Sequence, residues 1–152
     1  MFAFAGVIFL MPFVGLAQRG SGGWCSNNNY HKLFDPKNIQ EFKGEISSIE
    51  KITPESGMSV GVHLIVKSGK NATLSVHLGP SWFLENQEVQ FSVGDPIQVK
   101  GSKISYLSAP AIIAMTVIKG DQVLTLRNNK GVPVWNAWKQ GKKMGGRNQK
   151  NN

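Results

Sequence analysis

Cys25 is the only cysteine in 152 residues, so no internal disulfide can form and the fold must rest on an apolar core. A CxxC pair, an HExxH helix, a G-x-S-x-G elbow and a glycine-rich phosphate loop are also missing, and the nine acidic residues are scattered. The chemistries that those motifs carry are excluded, and a non-enzymatic protein is expected. Long apolar runs are scarce too. The single one, in "MFAFAGVIFLMPFVGLAQ", is broken by Pro12 and is shorter than the roughly 20 residues a membrane-crossing helix needs. It ends in Gly15 and Ala17 at the spacing of a signal peptidase site, so residues 1–17 read as a signal peptide and the protein as periplasmic or secreted, with no integral span after cleavage.

Acid is scarce relative to base, and the net charge is +8. Five of these charges, Lys139, Lys142, Lys143, Arg147 and Lys150, lie in the last 14 residues with no acid among them. Between Pro36 and Trp135, ten basic residues face eight acidic ones, a balance of only +2. A nearly neutral domain, residues 35–138, is therefore expected to carry a disordered basic tail, residues 139–152, suited to an anionic polymer: DNA, acidic polysaccharide or anionic lipid. Residues 18–34, with "QRGSGGWCSNNNY", are rich in Gly, Ser and Asn and read as a flexible linker. Cys25 within it is a candidate for pairing with another chain or for assisting a metal.

Val60, Val62, Leu64 and Val66 alternate with strict period two, as do Leu74, Val76 and Leu78. These two runs read as strands joined by a hairpin at "SGKN". A strand before them in "FKGEISSIEKIT", one carrying Ile97 and Val99, and two around "KGDQ" complete the set. A short helix at "PSWFLE" separates the third strand from the fourth. Many short strands with no long helical period predict an all-β fold, a five- to six-stranded Greek-key barrel of the OB type with a helical plug.

The segments "DPKNIQEFKGEI", "GVHLIV", "VHLGPSWFLENQ", "PAIIA" and "LRNNKGVPVW" resemble a family of small secreted bacterial OB-fold proteins, often labelled DNA-binding and functionally uncharacterised. The likeness runs from about Asp35 to Trp138 and is more distantly similar to exported OB-fold stress-tolerance proteins. It implies fold and export more than activity, because one fold hosts many functions.

Each strand of the hairpin carries one histidine. If Val62 and Leu64 face the core, His63 faces outward, and His77 follows by the same parity. The loop "GKN" sets His63 directly opposite His77, with Cβ atoms roughly 4.5 to 5.5 Å apart. The pair is a candidate half-site for copper or zinc, with Met58, Met115, His31 and Cys25 as further ligands. The competing reading makes them ordinary polar residues on an exposed face. That outward face, Ser59, His63, Ile65, Lys67, Thr73, Ser75 and His77, is the expected ligand face. It holds no Phe, Tyr or Trp for base stacking, although Tyr106 could reach it from a loop. Arg127 is expected to pair with Asp95 or Glu88, and Trp135 to pack on one end of the sheet.

These readings add up to an exported binding module of the bacterial envelope whose ligand is a small molecule, a metal ion or an envelope partner. The alternatives are a nucleic-acid binder using the tail and the same face, and a structural or assembly component using Cys25, the tryptophans and the tail.

Overall fold

The computed structural model describes residues 22–25, 28–69 and 71–140. Strand β1 spans Ile39–Ile52, β2 Gly61–Ser68, β3 Ala72–Pro80, β4 Pro96–Tyr106, β5 Ala109–Lys119 and β6 Gln122–Thr125. They form one mostly antiparallel sheet in the order β3-β2-β1-β4-β5-β6. Strand β3 also pairs with β5, in parallel, through Ser75↔Ala111, Val76↔Ile112 and His77↔Ile113. The pairings thus run from β3 through β2, β1, β4 and β5 back to β3.

The turns that make this path possible are local. Gly69 (φ 55°) and Asn71 (φ 61°) close the β2–β3 hairpin, and Gly120 (φ 60°) closes β5–β6. Leu107 and Ser108 turn β4 into β5 at φ 48° and 63°, a left-handed backbone that non-glycine residues rarely adopt. Strand β1 serves two neighbours in succession: Ile39 to Glu45 pair with β4, and Glu45 to Ile52 pair with β2.

Ile46, Leu64, Val66, Val76, Leu78, Val99, Val117 and Leu124 line the core. In β5, five consecutive residues from Ala111 to Met115 are buried, so both faces of that stretch are covered. Between β3 and β4, helix α1, Ser81–Leu84, buries Phe83 and Leu84. Its exposed carbonyls are satisfied by side chains: Asn86 Nδ2 donates to Trp82 O at 2.7 Å and Gln87 Nε2 to Phe83 O at 3.1 Å. Among the described residues no helix is long and apolar enough to cross a membrane.

The stretch expected as a flexible linker is packed where it is described. Residues 22–25 and 28–34 form a strap laid over one end of the sheet, with a 3₁₀ turn at His31–Leu33. Trp24 and Tyr30 are buried in the core cluster. Two aromatic side chains bury roughly 150–250 Å² each, enough to offset the ordering of their Gly and Asn neighbours. Backbone contacts reinforce them: Ser59 N donates to Gly22 O at 2.7 Å, and Trp24 Nε1 donates to Ser59 O at 3.0 Å.

The expected signal peptide lies outside the described residues, as do Lys142, Lys143, Arg147 and Lys150. Lys139 falls in the closing 3₁₀ segment, Val134–Gln140. Trp135, at the start of that segment, is fully buried at the sheet end.

Candidate functional site

Hairpin closure at residues 69–71 fixes the β2–β3 register, and with it the site. His63 lies opposite His77, as the loop length predicts, and the pairing continues to Ser68↔Ala72. A one-residue shift between Val62 and His63 then puts Val62 opposite Gly79 and Gly61 opposite Pro80.

The two imidazoles stack, with centroids 3.6 Å apart and planes within 7°. Tyr30 lies nearly parallel to His77 at 5.9 Å, and its hydroxyl shares a 3.0 Å hydrogen bond with His77 Nδ1. Tyr106, at the end of β4, meets His77 edge-on at 4.8 Å, and its hydroxyl donates to Pro54 O at 2.8 Å. Trp24 closes the cluster by edge contacts with Tyr30 and Trp135.

His63 and His77 therefore do not line an open face. They point away from the side that carries Leu64 and Val76, as parity requires, yet they are 1% and 0% exposed. The strap and Tyr106 form a second layer over them. Of the other residues expected on this face, Ser59, Ile65 and Ser75 are half-buried, and only Lys67 and Thr73 are exposed. The strap covers the strand ends near Gly61 and Pro80 and leaves the hairpin end open.

Burial fixes the charge state of the pair. It lowers His63 to about 4. His77 is lowered to about 2, first by burial and then by the neighbouring His63 and Arg127. Burial likewise raises the Tyr30 phenol and lowers His31. Both stacked rings are neutral at physiological pH, and the Nε2 atoms of His63 and His77 are buried without a hydrogen-bond partner among the described residues.

This geometry does not make the expected metal half-site. An imidazole nitrogen directs its lone pair in the ring plane, and two parallel stacked planes share no point at which one ion could meet both. One ring would have to turn out of the stack. Among the described residues no group of three or more His, Cys, Asp or Glu could hold a metal ion.

Arg127 pairs with neither Asp95 nor Glu88. Asp95 is engaged by Lys119 at 2.8 Å, and that hydrogen bond holds its carboxyl below the usual range. Arg127 is instead buried, with Nη1 donating to Leu78 O at 2.9 Å and to Ala114 O, and the guanidinium lies 4.9 Å over the Trp135 ring. Burial lowers it to about 10, so it remains charged.

Tyr30, Trp24 and Arg127 are the site residues that strand periodicity could not reveal. A signal existed in two strand glycines. A Cβ on Gly61 would lie 2.4 Å from Trp24 Cζ2, and one on Gly79 would lie 2.6 Å from Trp135 Cη2. Glycine inside a strand marks a close approach, and here the approaching groups are indole rings.

A search of curated proteins finds no match to the chain. The model of the MamS/MamX magnetosome protein family matches residues 38–124, from the residue before β1 into β6. That stretch lies within the segments that resemble secreted OB-fold proteins, and the matched family bears no DNA-binding label. With more than half its length matched, the chain belongs to the MamS/MamX magnetosome protein family.

Proposed function

We propose that this chain is an exported, non-enzymatic binding module that serves the magnetosome by holding a protein partner at the envelope. The observation that carries this reading is the return of the pairings to β3, joined to the family match over the same strands. On this reading the pairings close an OB-type barrel with α1 as its plug, an architecture that binds ligands on the face of its second and third strands. Here the uncovered part of that face is Ile65, Lys67, Thr73 and Ser75. It is mixed in character, with one cation, and fits a protein surface better than a nucleic-acid strand, which needs stacking rings beside a basic groove. The buried neutral imidazoles support a non-catalytic role, since no substrate reaches them while the strap is in place. Export through residues 1–17 completes the proposal.

Fractionation of a magnetosome-forming cell that expresses the tagged full chain tests this reading. Enrichment in the magnetosome fraction, lost in a Lys67→Glu, Thr73→Glu double variant that stays folded, supports it. A tagged chain found only in the soluble cytoplasm overturns it.

A further inference from the structure

The strap is attached to the sheet mainly through the imidazole stack and its rim. Tyr30 meets His77 through its hydroxyl, and the Tyr30 N–H donates to Glu55 Oε2 at 3.2 Å. Trp24 reaches Ser59 O and packs on Gly61. The sheet beneath is held by long ladders that do not involve these rings: nine residue pairs between β4 and β5, and seven between β1 and β2.

The groups around the stack favour neutrality inside and charge outside. β2 contributes His63, β3 His77, the end of β4 Tyr106, and the segment after β6 the cation Arg127. The strap contributes Tyr30 and His31. The acids lie at the margin: Glu55 contacts the strap backbone, and Glu50, the exposed cross-strand partner of His63 on β1, faces solvent. Among the described residues no carboxylate forms a hydrogen bond or ion pair with either ring. A proton on either imidazole would sit 3.6 Å from the other ring, and the charge of Arg127 disfavours one on His77.

We propose that the strap, residues 22–25 and 28–34, is a proton-released latch that lifts from the β2–β3 face on acidification while the six-stranded sheet stays folded. The covered form takes up no proton on the stack near neutral pH, whereas the uncovered form opens the imidazoles to water, where one of the pair is readily protonated and its charge hinders the second. Each proton taken up by the uncovered form therefore pulls the equilibrium toward opening. The sign follows from bases held below their usual range: the covered form is fully favoured above about pH 6.5 and loses ground as pH falls toward the lowered values of the folded state. The strap gives way before the sheet because it has few backbone bonds to break. Opening would present His63, His77 and Tyr106 beside Lys67 and Thr73, enlarging the face available to a partner.

Hydrogen exchange on the full chain, corrected for intrinsic rates, tests the latch. The reporters are the amides of Leu33 and Phe34, which donate to Tyr30 O and His31 O, and that of Ser59, which donates to Gly22 O. With one imidazole of the pair gaining a proton, the opening constant of these amides is expected to rise roughly 30-fold between about pH 7.5 and about pH 5. The β4–β5 amides are expected to hold their protection. A His63→Gln, His77→Gln double variant should flatten the dependence; if it does not fold, the comparison of strap with β4–β5 amides in the unaltered chain still decides. Strap opening that ignores pH, or strap and β4–β5 amides losing protection together, overturns the proposal.

Discussion

Arg127 replaces a missing rung. The parallel pairing of β3 with β5 stops at His77↔Ile113, and the next residues on the two strands, Leu78 and Ala114, both give their carbonyls to one guanidinium. Arg127→Met keeps much of the volume but leaves both carbonyls without that donor, at about 1–3 kcal/mol each, partly offset by removing a buried charge. A net loss of about 2 kcal/mol is expected in urea unfolding, with the slope unchanged. Tyr30→Phe is a gentler change. It removes a hydroxyl from a buried ring nitrogen and is expected to cost about 1–3 kcal/mol, read as faster exchange at Leu33 and Phe34. Each imidazole should also make the pH dependence of stability steeper by up to about 1.4 kcal/mol per unit as pH falls through the window between the unfolded and folded values.

Among the elements, β2 and β3 were the most legible. Their apolar residues alternate, their loop is short, and together these features set the register and the His63–His77 pairing. Strand β1 begins at Ile39, three residues before the Phe42 at which the sequence pattern marks it, because its first half pairs with β4 and its second half with β2 and no continuous alternation runs through it. Which face of β2–β3 is covered was not legible, since the covering element is a Gly- and Asn-rich segment that has no period and buries only two aromatic side chains. Gly61 and Gly79 were the available clue. Gly61→Ala is expected to push Trp24 off its seat at a cost of about 1–3 kcal/mol. Exchange should show this loss in the strap amides and leave those of β4–β5 unchanged. Equal loss in both would mean that the strap and sheet unfold as one unit.

At the scale of the whole molecule, charge and fold are separated along the chain. Residues 139–152 carry five of the net eight positive charges, so a chain ending at residue 138 has a net charge of +3. Cosedimentation with anionic vesicles is expected to be strong for the full chain near 50 mM salt, weak near 500 mM, and weak at both for the shortened chain. The family match and the strand pairings coincide over residues 38–124, which locates the shared architecture in the sheet and leaves the strap and tail as features beyond the match. The return of the pairings to β3 also bears on how densely this protein can gather on a surface. Each described strand from β1 to β5 pairs with at least two others, β1 with one along each of its halves, and the last strand in the sheet order is β6, four residues long and followed by the Arg127↔Pro133 bridge. So short an edge, ending beside a proline, gives a neighbouring copy little backbone on which to add a strand. Copies crowded together therefore find little backbone to extend at the β6 end of the sheet.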